Sequence, residues 1–548
     1  MNIIDVISAV SYQKIERTSF LHGDVKDVQT DSRKVKQDDI FVCLEGEHVD
    51  GHDYIAQALQ NGASLIFVQK DVQLSPEKQA TIIRVSSTYR TLAEVSALVY
   101  GNPTSSMKII GVTGTNGKTS VTTFLNQLYR NKGYQTGLIG TMHNDIAGTI
   151  YPTENTTPFA HDLQRMFRDM KNQDVSHVFM EVSSHGLAMG RVWGCAFDYG
   201  VLTNLSQDHL DYHGTMDEYK RAKGLLFTSL GNDFAKTAVL NADDETFDYY
   251  QSITGCRVLS YGIKKQADIQ GSNVRQEEDG LAFTVTYKEQ TYEVRTALTG
   301  SFHVYNLLGA MAVCLQDGWD IDTLVEAISQ LRPVQGRMEP VRAGQPFDVI
   351  VDFAHTPDGL ENALQSAKRF AKGRVLTLIG CGGNRDKGKR PIMARVAEQY
   401  SDYVYLTSDN PRHEEPLAIL KDMEKGMTGD QYTMYVDRKR AIHEIIHHAE
   451  DGDVVILAGK GHETYQIIGD AKTHFSDKEV AEEAIREWLP VRSLDFDEGF
   501  PDGVYVIPSS PGPRIKVRAL YEYCKENALH PSDLTEEESK QFLGYPKY

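Results

Sequence analysis

The sequence predicts an α/β protein of three domains on largely parallel sheets, followed by a short C-terminal extension. Three observations carry that prediction. Strand-sized apolar runs alternate with helix-length segments through most of the chain, the pattern of sheets covered on both faces. Turn-rich stretches, NPTSSM near residue 103 and LRPVQGRMEP at 331–340, interrupt the alternation and mark two cuts. A chain of 548 residues also exceeds one core, since domains run to roughly 100–200 residues each.

The elements follow in order. In the first domain, 1–104, DDIFVCL (38–44) and SLIFVQ read as strands around a helix in YIAQALQNGA. MKIIGV opens the second domain, 105–334, and feeds a helix over about 119–131. SHVFMEV (176–182) and DYGVLTNL (198–205) continue as buried strands, and 257–300 alternates like antiparallel strands. In the third domain, 335–490, FDVIVDFA, RVLTLIG, DYVYLTS and DVVILAG are strands separated by helices at 358–371, 391–400 and 437–449. The remaining 58 residues, 491–548, carry Pro, Gly and Ser punctuation and one helical stretch at about 515–527. That length is too short for a large core and suits a packing or contact surface without chemistry of its own.

Composition removes whole classes of function. Lys plus Arg is 57 against 76 Asp plus Glu, a net charge of −19. So acidic a surface disfavours non-specific binding to nucleic acid or anionic lipid. The N-terminal stretch lacks the cationic start and apolar core of a signal peptide. No apolar run approaches the ~20 residues of a membrane span. Six cysteines lie far apart with no C-x-x-C pair, as in reduced cytosolic thiols. The expectation is a soluble cytoplasmic protein.

The strongest local signal is GVTGTNGKTS (111–120), between an apolar strand and a helix. Backbone N–H groups of Gly114, Thr115, Asn116 and Gly117 and the following helix N-terminus can wrap a polyphosphate. Lys118 adds charge for the β/γ-phosphates, the Thr119 hydroxyl can reach Mg²⁺, and Ser120 follows. Val112 stands where the usual G-x-x-x-x-G-K-[ST] spacing has its first glycine. This is a P-loop for a nucleoside triphosphate, and alone it leaves motor, kinase, switch and ligase open. MEVSSHGLAMGR (180–191) and TNLSQDHLDYHGTMDEYKRAKGLLF (203–227) end two strands in dense polar sets. There Glu181 and His209 can complete an oxygen and nitrogen shell around Mg²⁺. His209 and His213 have i, i+4 spacing, but the DYHGT turn and the lack of a third ligand argue against zinc.

GTNGKTS, TENTTP, EVSSH, TNLSQDHLDYHG with YKRAK, DFAHTPDGL, GCGGNRDKGKRP, DNPRHEEP and GKGHE occur in this order over about residues 1–490. Together they closely resemble the Mur ligases of peptidoglycan assembly, in the branch that adds the third residue of the stem peptide. The resemblance implies a uridine-nucleotide-binding N-terminal domain, a central ATPase domain and a C-terminal, Rossmann-like amino-acid-binding domain. It implies an ATP-dependent ligase using Mg²⁺, with UDP-MurNAc-L-Ala-D-Glu and meso-diaminopimelate as substrates, working as a monomer.

The same resemblance assigns residues. Thr30, Ser32, Asn155, Thr156, Thr157, Ser183 and Arg191 match positions that hold the uridine-nucleotide substrate, with GEHVDGH (46–52) beside the first two. Asn306, Arg337 and Asp352 match ATP-contacting positions, with His355 in the same stretch. Arg385, Asp409, Asn410, Pro411, Arg412, Gly459 and Glu463 match the amino-acid pocket. There the arginines suit a distal carboxylate and Glu463 an ammonium group. Lys223 matches a lysine carbamylated by CO₂, which turns a cation that repels Mg²⁺ into an anion that ligates it. Lys118, Glu181, His209 and Lys223 thus form the implied catalytic set, and Thr119, Glu181, His209 and Lys223 the metal set. Two positions depart from the pattern: His303 stands where asparagine is usual, and Met189 replaces a polar residue. These departures and the extension leave room for a paralogous ligase using L-lysine or another acceptor. A non-catalytic nucleotide-binding regulator would require a broken site, and its parts are all present.

Overall fold

The structure, a computed structural model, describes residues 1–18, 23–46, 49–72, 80–277 and 280–498. Beyond these it describes 514–515, 520, 523, 535 and 540–544. Most of the helix expected at 515–527, and residues 47–48 of the GEHVDGH stretch, lie outside the described residues.

Three large sheets carry the described chain. The first has five strands in the order Lys14–Arg17, Thr81–Arg84, Leu65–Val68, Ile40–Val42, Val28–Gln29. All its pairings are parallel except that of the first strand.

The second sheet has eleven strands. At its heart Lys108–Thr113 lies between Tyr199–Leu202 and His177–Glu181, parallel to both. A period of two explains its burial. Ile110 and Val112 join one core with Phe124, Leu125 and Leu307. Ile109 joins the other with Leu163, Phe167 and Leu226. Helices Lys118–Asn131 and His303–Gln316 cover one face, and Ala160–Lys171 and Met216–Ser229 the other. The chain enters Met216–Ser229 through a side-chain cap, the Thr215 hydroxyl accepting from the Glu218 N–H.

One expectation needs correction. Arg257–Gly262 is not part of an antiparallel ribbon, because it pairs parallel to Thr237–Asn241 and to Ile269–Glu277. The antiparallel meander begins only at Ile269 and runs through Gly280–Tyr287 and Gln290–Thr296. Half-buried alternation looks the same in either pairing.

The third sheet has six strands in the order Glu339–Val341, Asp348–Asp352, Val454–Ala458, Val375–Cys381, Tyr403–Ser408, Tyr432–Tyr435. It is parallel except for its first strand. Strand order reverses around Lys108–Thr113 in the second sheet and around Val454–Ala458 in the third. Loops leaving the carboxyl ends of neighbouring strands diverge at such points and leave a crevice.

Candidate active site

The phosphate-loop motif lies in that crevice of the second sheet. Strand Lys108–Thr113 ends at Gly114, whose φ is +142°. A Cβ there would lie 1.8 Å from the Thr203 hydroxyl oxygen, so the loop backbone presses directly on the next strand end. Gly117, at φ +89°, starts helix Lys118–Asn131 with no side-chain cap, leaving the amide end of the helix open. Lys118 Nζ donates to the carbonyls of Gly114 and Thr115, each at 2.9 Å. Burial pulls its pKa down, opposed by Glu181 and Asp208.

The Thr119 hydroxyl donates to Glu181 Oε2 at 3.0 Å and accepts from Arg337 Nη2 at 3.2 Å. Glu181 is held by Thr141, whose N–H donates to Oε1 at 2.9 Å and whose hydroxyl donates to Oε2 at 3.0 Å. The Thr141 hydroxyl in turn lies 3.0 Å from that of Thr156. A chain of hydroxyls and one carboxylate thus links the phosphate loop to the TENTTP segment. Thr157 Oγ1 donates to the Glu181 carbonyl, and Arg191 Nη1 to the Thr157 carbonyl. Arg191 also stacks on Phe159 at 4.2 Å and touches Met189 through sulfur at 3.4 Å.

A cavity of about 350 Å³ gathers much of the predicted set. Residues 115–119 form one wall, and Thr156, Glu181, Ser183 and His209 a second. Arg385, Asp409, Asn410, Arg412, Gly459 and Glu463 of the third sheet close it. A neighbouring cavity of about 410 Å³ is lined by Asn116, Gly117, Ser120, Asn306, Arg337 and Asp352, among others. The two share Asn116, Gly117 and Arg337. Asp352 accepts from the N–H groups of Met338 and Ala354, and burial raises its pKa against the pull of Arg337.

Other predicted residues lie apart from these cavities. Thr30 and Ser32 line neither, and the Ser32 hydroxyl donates to Gln57 at 2.6 Å. Asn155, Thr157, Arg191 and Pro411 also line neither cavity. Lys223 is buried beneath the loop, with Nζ donating to the Gly114 carbonyl at 2.8 Å and lying 4.5 Å from the centre of the Tyr219 ring. Burial and the nearby Lys118 hold its pKa well below that of an ordinary lysine. His209 takes a left-handed φ of +54° before the single helical turn Leu210–His213, where the sequence reads as a turn.

Several neighbours escaped sequence reasoning. Asp208, buried at 5% exposure, lies near His209 at 3.3 Å, Lys389 at 3.7 Å and His355 at 3.9 Å. Burial raises the Asp208 pKa, but His355, His209 and Lys389 outweigh it and hold the carboxylate charged. Asn116 Nδ2 donates to Asp358 at 3.0 Å, joining the phosphate loop to the helix Pro357–Phe370. Asp208 stood inside the quoted QDH motif, but only tertiary structure shows which cations it meets.

A metal was expected here. Among the described residues no three His, Cys, Asp or Glu side chains converge on one point. Thr119 and Glu181, 3.0 Å apart, fit Mg²⁺, which commonly takes one or two protein oxygens and completes its shell with phosphate and water.

Three family models match in succession: the Mur ligase family catalytic domain over 24–100, the Mur ligase middle domain over 112–314, and the Mur ligase glutamate ligase domain over 336–461. The chain belongs to the Mur ligase family. A UDP-N-acetylmuramoyl-L-alanyl-D-glutamate–2,6-diaminopimelate ligase of Bacillus cereus is 47% identical over 466 residues, 84% of this chain and 94% of that protein. The protein of the same name from Listeria monocytogenes is 45% identical, covering 85% of this chain and 95% of its own. A solved structure of a ligase of that name superposes with a TM-score of 0.64 at 31% identity, over 89% of this chain and 99% of the other. An ADP complex of the MurF ligase of Thermotoga maritima shares the fold, with a TM-score of 0.59 at 19% identity, covering 85% and 99%.

Proposed function

We propose that this enzyme joins the amino group of meso-2,6-diaminopimelate to the D-Glu γ-carboxylate of UDP-MurNAc-L-Ala-D-Glu, with ATP as the energy source. One observation carries the reading. A single cavity of about 350 Å³ brings the phosphate loop and Glu181 against Arg385, Asp409, Asn410, Arg412, Gly459 and Glu463. The named relatives point to the same substrates.

A carboxylate is a poor electrophile, so the reaction needs activation. The γ-carboxylate oxygen attacks the γ-phosphorus of ATP, the bond to ADP breaks, and an acyl phosphate forms. Lys118 and the open amide end of helix Lys118–Asn131 suit the negative charge that spreads over the transferring group. Asn306, Arg337 and Asp352, in the adjoining cavity, are placed for the nucleoside end. Mg²⁺, held by Thr119 and Glu181 with His209 and carbamylated Lys223 nearby, would neutralise phosphate charge. The depressed Lys223 pKa supports that modification, because only a neutral amine adds to CO₂, losing a proton to give the carbamate.

The diaminopimelate amine, deprotonated, then attacks the acyl carbon, and phosphate leaves to yield the amide. Attack needs the amine roughly 3 Å from that carbon, which fits an amino-acid pocket on the same cavity as the phosphate loop. Arg412 and Arg385 are suited to the distal carboxylate and Glu463 to its ammonium. Thr30, Ser32, Asn155, Thr156, Thr157, Ser183 and Arg191 are assigned to the uridine-nucleotide substrate. The division at 1–104, 105–334 and 335–490 follows these roles. We place the enzyme in the cytoplasm as a monomer. The five free cysteines among the described residues suit a reducing compartment, and no described helix is long and apolar enough to cross a membrane.

The test is ATP-dependent phosphate release with Mg²⁺, bicarbonate and UDP-MurNAc-L-Ala-D-Glu, adding meso-diaminopimelate or L-lysine separately and weighing the product. A tripeptide formed with diaminopimelate and little with lysine is expected. A product with lysine alone would overturn the pocket assignment.

A further inference from the structure

Lys460 has no exposed surface and does not border either cavity, yet its ammonium reaches three pocket residues. Nζ donates to Asp409 Oδ1 at 3.3 Å, Asn410 Oδ1 at 3.2 Å and Glu463 Oε2 at 3.1 Å. An ammonium has three hydrogens, so each has an acceptor, and each acceptor belongs to a different residue of the proposed amino-acid pocket. A solvated lysine would not be stripped of water to this degree without a return from its partners.

The three contacts fix what the pocket presents. Asn410 is oriented from both ends, its Oδ1 accepting from Lys460 and the Ile467 N–H and its Nδ2 donating to Glu463 Oε2 at 2.9 Å. Glu463 Oε2 is therefore committed to Lys460 and Asn410, which leaves Oε1, 3.4 Å from the Tyr465 hydroxyl, as the oxygen that they do not hold, on a residue that lines the cavity. Charge matters equally. On the amino-acid side of the cavity Arg385, Lys389 and Arg412 stand against Asp386, Asp409 and Glu463, so that side is balanced without Lys460 and has one excess positive charge with it.

We infer that Lys460 is a positioning and specificity-determining residue, aiming one Glu463 oxygen at the amino acid and biasing the pocket against side chains that end in a bare ammonium. This rests on the diaminopimelate reading above. A distal end carrying both ammonium and carboxylate is net neutral and meets no penalty from the excess charge. The side chain of lysine carries only the cation and is repelled.

The experiment compares wild type with Lys460→Met, which keeps length and loses charge, measuring KM and kcat for diaminopimelate, L-lysine and ATP. The expected result is a KM for diaminopimelate raised about ten- to a hundredfold, the scale of losing a charge-assisted hydrogen bond. The ATP KM should stay within about twofold. The preference for diaminopimelate over lysine should narrow by at least about tenfold. In the diaminopimelate KM, the double variant Lys460→Met/Glu463→Gln should lose little beyond Glu463→Gln alone, because the aiming acts through Glu463. If Lys460→Met fails to fold, Lys460→Gln, a neutral donor, gives the same comparison of amino acids. An unchanged diaminopimelate KM and preference would overturn the inference, as would an equal loss with both amino acids and ATP. A wild type that makes no product with diaminopimelate would instead overturn the functional reading, independently of Lys460.

Discussion

Arg438 and Asp477 form a bidentate ion pair in which neither side chain has any exposed surface, with N–O distances of 2.7 and 2.6 Å. The same guanidinium donates to the carbonyls of Ser408 and Ala458, the residues just before the Asp409 and Gly459 loops. One buried cation thus ties together the strand ends from which the proposed amino-acid pocket grows. Removing one partner of such a pair leaves a buried charge alone and costs about 3–5 kcal/mol. Asp477→Ala is expected to lower the urea midpoint sharply, whereas replacing both residues with apolar ones of similar volume should recover part of the loss.

Gly114→Ala should disable the nucleotide site with little effect elsewhere. The added methyl would collide with the Thr203 hydroxyl, and the left-handed backbone suits glycine. Local strain of about 1–3 kcal/mol in a loop that must cradle phosphate predicts a fall in ATP affinity of tenfold or more, read by calorimetric titration. Unaltered affinity would show that the loop is not the phosphate cradle.

Much of this was legible in the sequence because it is local. The strand–glycine–lysine–helix order around Lys118 announces a phosphate site wherever it falls, and alternation with helix-length spacers announces parallel sheets. The first helical turn was placed within one residue, at Lys118 rather than 119. Lys460, Arg438 and Asp208 were silent for the opposite reason. Each is fixed by at least one partner tens or hundreds of residues away, Asp409 for Lys460, Asp477 for Arg438 and Lys389 for Asp208, and the local sequence does not announce that meeting. Arg257–Gly262 was misread because pleat periodicity reports which face is buried but not the direction of the neighbouring strand.

His303, where the family pattern has asparagine, is a buried ring packed against Phe302 and Phe124 at centroid distances of 4.6 and 5.5 Å. Burial, and then Arg337, push its pKa down to about 3. It is therefore neutral at working pH, and its Nδ1 accepts from Asn306 Nδ2 at 3.3 Å. The substitution keeps a polar partner for Asn306. His303→Ala should raise the ATP KM about three- to tenfold, the scale of one neutral hydrogen bond, and His303→Asn should restore it. Equal kinetics in both variants would remove His303 from the nucleotide site.

Asp317 gives the fold a pH dependence. Its buried carboxylate accepts from Tyr129 at 2.9 Å, His177 at 3.2 Å and Tyr199 at 3.3 Å, and pairs with Lys108. Burial would raise its pKa, but the hydrogen bonds from His177, Lys108 and Tyr129 outweigh burial and hold it at about 2, against 3.8 for an ordinary aspartate. A depressed carboxylate contributes stability that is present above the unfolded value and disappears as pH falls through the folded one. The contribution is about 2 kcal/mol. Wild type should therefore exceed Asp317→Asn in urea stability at pH 6, with the gap closing below about pH 4. A gap constant with pH would sink this account.

Lys223→Arg should reduce ligation about 10²–10³-fold, as when a charge-stabilising group is removed. Isotope-labelled bicarbonate should give a carbamate resonance in wild type and none in the variant. Full activity in the arginine variant would rule out the carbamate.

Arg337 borders both cavities, the one proposed for the nucleoside and the one where ligation is proposed, and its guanidinium touches Thr119, which lines the second. A side chain that serves as a party wall cannot shift towards one tenant without altering what it offers the other. A ligand that moves this side chain on one side would therefore couple the occupancy of the two. Such coupling is reciprocal by necessity and typically amounts to about 1–3 kcal/mol. An inhibitor filling either chamber would carry its influence through that wall, and its measured potency would depend on which neighbour was already in residence.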